Sequence, residues 1–261
     1  VRWQTMKRIL FLTAIMILCF PLFIVADGIL IIEPPDYPPS IHVVPRPRPP
    51  QPPAPQALPV KYHRVKVEIE SQVAKTSIDQ VFRNPYGRDL EGTYIFPLPE
   101  DAAISEFALY MDGKRITGEI LEKDEARKIY EDIVRRMQDP GLLEYVGRNM
   151  FRARVYPIPA NGEKRIDLTY YQTLKLDSGM VRYTYPLNTE RFSPDPIEDV
   201  SVKVAIKSPI PIKSLYSPSH EVDASIADEA TCGFEQKDVK PDKDFQVIYT
   251  VSEKDLGINI L

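Results

Sequence analysis

Between Tyr62 and Glu70 the chain alternates in character: Val65, Val67 and Ile69 are apolar, while Arg64, Lys66, Glu68 and Glu70 around them are charged. A period of two places all the apolar side chains on one face of an extended strand and the charges on the other. The pattern recurs at Phe151, Ala153 and Val155, at Ile166, Leu168 and Tyr170, at Val200, Val202, Val204 and Ile206, and at Phe245, Val247, Tyr249 and Val251. Val73 to Phe82 reads as a less regular strand. Tyr94 and Phe96 share a face before Pro97-Leu98-Pro99 stops their strand, and Met180 to Leu187 adds another. So many half-buried ribbons predict a mainly β fold built from mostly antiparallel sheets.

Turn chemistry supports this. Asp112-Gly113 separates the runs Ile104 to Met111 and Lys114 to Leu121. A two-residue Asp-Gly link predicts a hairpin, because both positions must tolerate a positive φ. Asn84-Pro85-Tyr86-Gly87 and Ala160-Asn161-Gly162 read as further turns.

One stretch has a helical period. Ala126, Ile129, Tyr130, Ile133, Val134 and Met137 recur at steps of three and four within Lys123 to Met137. Asp124 and Glu125 open this stretch and Arg135 and Arg136 close it, as the helix dipole favours, and Asp139-Pro140-Gly141 supplies a stop. The spacing predicts one amphipathic helix laid on the sheet.

The N-terminus predicts export. Lys7 and Arg8 precede the apolar run Ile9 to Phe20, and Ala26 offers a small residue for cleavage, so residues 1–26 read as a signal peptide or, if uncleaved, an N-terminal anchor. The remainder is then expected to be secreted or held at the cell envelope. Of 26 prolines, twelve fall between Pro34 and Pro59, so 27–59 reads as a proline-rich, extended spacer. Residues 60–190 then form the main β domain and 196–261 continue as further strands, with the acidic stretch Ser217 to Glu229 as a loop.

Charge and chemistry exclude several classes. The net charge is −4, and it becomes −7 without Arg2, Lys7 and Arg8, so general attraction to nucleic acid is not expected. The mature chain would keep only Cys232, which excludes an intrachain disulfide; it reads as a small, partly buried residue, with a reactive thiol as the alternative. His42, His63 and His220 are scattered and lack metal-ligand spacing. No nucleophile elbow, phosphate loop or Cys-x-x-Cys occurs, so no catalytic, cofactor-binding or metal residues are assigned.

Three motifs in order resemble the signatures of the vault/inter-α-trypsin (VIT) domain. The first is Glu91-Gly92-Thr93-Tyr94-Ile95-Phe96-Pro97-Leu98-Pro99 with Ala103 and Phe107. The second runs from Glu122-Lys123 through Ala126 and Ile129-Tyr130-Glu131 to Asp139-Pro140-Gly141-Leu142-Leu143-Glu144. The third is Asn149, Phe151, Val155 and Pro157-Ile158-Pro159-Ala160-Asn161-Gly162-Glu163-Lys164. The resemblance implies a β-sandwich-like domain, then a partial β-sandwich over 196–261 leading to a von Willebrand factor A domain in cis, whose Asp-x-Ser-x-Ser metal motif does not occur here. Asp177-Ser178-Gly179-Met180 lacks the spaced serines and reads as a turn. The Asp139-Pro140 bond is not the processed Asp-Pro bond of inter-α-trypsin heavy chains.

The expected function is a non-catalytic extracellular interaction or adhesion-support module with a protein or polysaccharide ligand, to which outward tyrosines such as Tyr170 or Tyr171 would contribute. Membrane contact would occur only through an uncleaved N-terminus. The alternatives are a structural envelope- or wall-associated spacer and an accessory subunit of a processing or transfer enzyme.

Overall fold

The structure is a computed structural model, and it describes residues 28–32, 56–99, 101–117, 150–188 and 195–253. The strands in the first half are β1 (Ile29–Ile32), β2 (Gln56–Ala57), β3 (Val60–Glu70), β4 (Val73–Arg83), β5 (Leu90–Pro97), β6 (Ala102–Met111), β7 (Lys114–Thr117) and β8 (Met150–Ile158). Those in the second half are β9 (Glu163–Thr173), β10 (Leu176–Asp177), β11 (Met180–Tyr185), β12 (Ile197–Lys207), β13 (Ile212–Tyr216), β14 (Asp223–Ile226), β15 (Ala230–Val239) and β16 (Phe245–Val251). The protein is mainly β. The predicted helix at 123–137 lies outside the described residues, as does the segment 1–26.

An eight-stranded sheet in the order β14-β15-β12-β3-β4-β9-β6-β7 forms one layer. Two four-stranded sheets, β2-β1-β5-β8 and β10-β11-β16-β13, form the other. The period-two residues explain the layering. Val65, Val67 and Ile69 of β3 point inward beside Val202, Val204 and Ile206 of β12 and Ile78 and Ala74 of β4. Tyr94, Phe96, Phe151 and Val155 come from one small sheet and Tyr183, Tyr185, Phe245 and Val247 from the other, and all join the same buried cluster. Ring contacts seal it: Phe107 of the large sheet meets Tyr94 at 5.9 Å and Phe151 at 5.0 Å between centroids.

The hairpin over Asp112-Gly113 forms as predicted, with φ of 49° and 74°. Ser178-Gly179 repeats the geometry between β10 and β11, with φ of 51° and 83°, so the Asp177-Ser178-Gly179-Met180 stretch is a hairpin turn. A Cβ at Gly113 would meet nothing within 4 Å, so only the backbone conformation opposes a side chain there. Gly113→Val is expected to cost about 1–2 kcal/mol, read as a lower urea midpoint with an unchanged slope.

Asn84 explains the turn that follows β4. It is buried, and its Nδ2 donates to the carbonyls of Arg88 (2.9 Å), Ile158 (3.1 Å) and Pro159 (2.9 Å), while its Oδ1 accepts from the Tyr86 amide (2.9 Å). One side chain thereby ties the turn after β4 to the one after β8. Asn84→Ala strands buried acceptors and is expected to cost about 2 kcal/mol in a thermal or urea melt; a change below about 0.5 kcal/mol would contradict this role.

Three expectations change. The spacer assigned to 27–59 begins and ends inside the fold: Ile29–Ile32 is a buried strand paired with β5, and β2 pairs back onto it at Ile31↔Ala57 and Ile32↔Gln56. The loop assigned to Ser217–Glu229 contains β14, an edge strand whose four residues are all exposed, so its pairing to β15 left no alternation to read. Finally, the segments 60–190 and 196–261 do not form separate sheets. β12 lies parallel to β3 within the large sheet, and β16 pairs with β11 from Met180↔Thr250 to Tyr185↔Phe245.

Candidate functional site

The core face of β3 and β4 carries three polar residues where the alternation calls for apolar ones: His63, Thr76 and Gln80, each fully buried. Thr76 and Gln80 are the reason β4 reads as irregular in sequence. Tyr94 Oη donates to Gln80 Oε1 (2.7 Å), Gln80 Nε2 donates to His63 Nδ1 (2.6 Å), and His63 Nε2 meets Tyr185 Oη (2.7 Å). An amide NH2 can only donate, so His63 Nδ1 accepts, and the neutral ring carries its hydrogen on Nε2 towards Tyr185. Burial pushes the imidazole down to about 3, which keeps it neutral at ordinary pH. One turn of the pattern away, Thr76 Oγ1 bonds Tyr183 Oη (2.8 Å), and burial raises that phenol well above its usual value.

This chain of bonds links the large sheet to both small ones. Tyr94 belongs to β5, Gln80 to β4, His63 to β3 and Tyr185 to β11. No side chain of the chain meets solvent, so its chemistry is that of a clamp rather than of a reaction centre.

The remaining sequence candidates are also dispersed. His220 stacks on Phe234 at 4.6 Å, and burial with Lys243 nearby lowers it to about 4. His42 lies outside the described residues. Cys232 is buried and its thiol is pushed up to about 11 by burial, which makes it an inert core residue. Tyr170 is fully buried, whereas Tyr171 is exposed. Of the two named tyrosines, only Tyr171 is available to a ligand. Among the described residues, no three His, Cys, Asp or Glu side chains converge as metal ligands.

Outside, the large sheet carries a ladder of paired charges that sequence periodicity marks only as polar. Asp167 of β9 accepts from Tyr110 Oη of β6 (2.8 Å) and lies 3.5 Å from Arg115 of β7. Next to it, Arg165 grips Asp79 of β4 through Nε (2.8 Å) and Nη2 (3.0 Å). Asp79 also accepts from Tyr62 Oη of β3 (3.1 Å), and burial together with that carboxylate pushes the Tyr62 phenol up to about 12. Arg64 lies 4.4 Å over the Tyr62 ring and pairs with Asp199 of β12. The row crosses six strands with nearly every charge matched.

The outer face of the β1-β5-β8 sheet differs. Ile29, Ile95 and Met150 on this face are buried, whereas Glu91 and Arg154 further along the strands are exposed. Where one region gives way to the other lies a cleft of about 420 Å³, lined by Ile31, Arg88, Asp89, Glu91, Thr93, Arg152 and Arg154, among others. Its volume is within the range of small-ligand sites. The pairing of β5 with β8 slips between Leu90 and Gly92, a bulge at the rim of the cleft. Asp89 Oδ1 is held by the Ala160 amide (2.9 Å), and Glu91 is paired with Arg154. Arg88 is exposed, and among the described residues no carboxylate pairs with its guanidinium.

The profile of the vault protein inter-alpha-trypsin domain matches residues 60–170, from β3 into β9. Over those residues the chain is similar to a VIT domain. It is 25% identical to mouse protein mono-ADP-ribosyltransferase PARP4 over 185 residues, 63% of this chain and 9% of that protein. It is 31% identical to human von Willebrand factor A domain-containing protein 5A over 134 residues, 50% of this chain and 17% of that protein. It is 30% identical to human inter-alpha-trypsin inhibitor heavy chain H4 over 117 residues, 44% of this chain and 13% of that protein. The chain thus spans less than a fifth of the length of each of these relatives. In solved structures the arrangement is similar to a putative nutrient binding protein of Legionella pneumophila, with a TM-score of 0.53 at 11% identity, covering 74% of this chain and 67% of that one. That likeness concerns the fold alone. The VIT match includes β3, β4, β5, β6 and β8, the strands that bring His63, Gln80 and Tyr94 together and that build the cleft.

Proposed function

We propose that this chain is a non-catalytic interaction module in which the VIT β-body presents rigid surfaces and supports a von Willebrand factor A domain of the same polypeptide outside the cytoplasm. The observation that carries this reading is the clamp through Tyr94, Gln80, His63 and Tyr185. The most unusual polar groups of the protein are spent on joining sheets, and the accessible ones lie on open faces. A body braced in this way keeps surface residues fixed in position, which favours binding over chemistry. Relatives that carry von Willebrand A or inter-alpha-trypsin names support the same class. The transferase named among them aligns through 9% of its length, too small a share to carry its activity across.

Export rests on the sequence of 1–26 and is tested by N-terminal sequencing of the protein recovered from the extracytoplasmic fraction. A mature start at Asp27 is the expected result, and a chain that stays in the cytoplasm with Met6 intact contradicts export. The partnership in cis is tested by reading the transcript past the codon for Leu261: an Asp-x-Ser-x-Ser strand within about 150 residues, a common domain length, is expected. Steady turnover of polysaccharide or peptide by the purified protein would overturn the non-catalytic reading.

A further inference from the structure

We propose that β1 is an exchangeable strand: two copies of this chain form a dimer in which β1 of each fills the slot between β2 and β5 of the other. The surface offered is that slot and the partner is a second copy, and neither depends on the interaction-module reading above.

β1 is short but deeply set. Ile29, Leu30, Ile31 and Ile32 are all buried, and the strand pairs with β2 on one side and β5 on the other. Without it, β5 would present a bare edge and the core an open seam, which another strand must refill. The slot is shaped to this sequence. A Cβ at Gly28, just ahead of the strand, would strike Tyr94 Oη and lie 2.8 Å from Gln80 Oε1, both members of the clamp. Opposite Ile32, a Cβ at Gly92 would meet Ile31 O and Leu30 Cδ1 at 3.0 Å each. An apolar strand with a side chain at the Gly28 position is therefore refused, whereas β1 of a second copy restores every contact.

The covalent link between β1 and β2 makes that second copy a competitor. It runs through residues 33–55, of which eleven are proline. Such a composition favours an extended chain of about 3.1 Å per residue, roughly 70 Å for the whole link. Its ends must nevertheless meet, because Ile32 pairs with Gln56 across strands about 5 Å apart. A stiff link much longer than its span gives β1 a low effective concentration at its own slot. In the exchanged dimer the link runs between two bodies and need not close. β2 stays behind with its body: Tyr86 Oη donates to Gln56 Oε1 (2.6 Å), and Leu58 next to β2 is buried in the core.

The test uses the full chain with Cys19→Ala and Cys232→Ala, so that no native thiol remains. The Leu58 amide donates to Leu30 O (2.9 Å), which makes Ile31 and Ala57 the adjacent non-bonded pair, with Cα atoms about 4.5 Å apart and within reach of a disulfide. One chain receives Ile31→Cys and another Ala57→Cys. The two are unfolded together in urea, refolded at high micromolar concentration, oxidised and separated without reductant. A disulfide-linked dimer is expected from the mixture and none from either variant alone. Both changes in one chain are expected to give an internal disulfide at high dilution; failure of that bond would remove the slot itself. Light scattering of the wild type needs no variant at the slot, and its dimer is expected to grow with concentration. Replacing each proline from Pro45 to Pro55 by serine softens the link and is expected to weaken the dimer about tenfold, with the monomer's melting temperature unchanged. A wild type that stays monomeric up to millimolar concentration overturns the exchange. So does a dimer whose mixed variants fail to cross-link, or one that the softened link leaves equally strong.

Discussion

Acidification from pH 7 to pH 5 is expected to lower the unfolding free energy by about 2 kcal/mol through His63 alone. Its folded value is about 3, against 6.5 for the exposed side chain. A group whose value is depressed on folding adds stability above its unfolded value, and that contribution drains away as pH falls towards the folded one. The window is therefore pH 6.5 down to 3, and its upper part lies above the range in which carboxylates titrate. The physical cause is visible in the geometry. A proton on Nδ1 would face the hydrogens of the Gln80 amide at 2.6 Å, in a site with no solvent to take up the charge. Urea unfolding at intervals of half a pH unit measures the effect, and His63→Gln is expected to flatten the curve between pH 7 and 5. His220 is shifted the same way but is only partly buried, so its contribution is smaller and is separated by His220→Gln. If wild type and His63→Gln lose stability in parallel, the clamp is not the pH-sensitive element.

Gln80→Leu is expected to cost about 4 kcal/mol at pH 7, a large part of the stability of a domain. Leucine fills nearly the same volume, so the loss comes from the two buried hydrogen bonds it cannot make, to the Tyr94 hydroxyl and to His63 Nδ1. Removing one of these partners as well restores balance. Tyr94→Phe in the Gln80→Leu background is expected to regain about 1–2 kcal/mol, although the same change in the wild type is destabilising. This sign reversal distinguishes a hydrogen-bond clamp from simple packing. If the two changes add, or if Gln80→Leu alone costs less than about 1 kcal/mol, the clamp has been overvalued.

The parts of the fold legible in the sequence are those where side-chain alternation and burial coincide. β3, β9, β12 and β16 each keep one apolar face, and Asp112-Gly113 demands a conformation that only a tight hairpin supplies. β1 was hidden because Ile29–Ile32 is apolar throughout, buried on both faces, and follows closely on the apolar run Ile9 to Phe20. β14 was hidden for the opposite reason, since an exposed edge held by backbone bonds needs no pattern at all. Of the site, Glu91 and Thr93 stood inside a recognised motif, but their partners Arg88, Arg152 and Arg154 are ordinary surface arginines until strand pairing gathers them. The clamp left one faint mark. Thr76 and Gln80 break the alternation of β4, and a polar residue at a core-facing position calls for a partner elsewhere in the chain.

The parallel pairing of β3 with β12 bears on how the protein is made. Tyr62 and Asp199 are opposite one another but 137 residues apart in the chain. At ordinary elongation speeds of about 5–20 residues per second, the valine-rich border of β3 leaves the ribosome roughly ten seconds before its neighbour exists. During that interval it is an open template for strands of other nascent copies, so synthesis favours a holdase. A polypeptide halted before Ile197 never closes that border and is destined for aggregation or proteolysis.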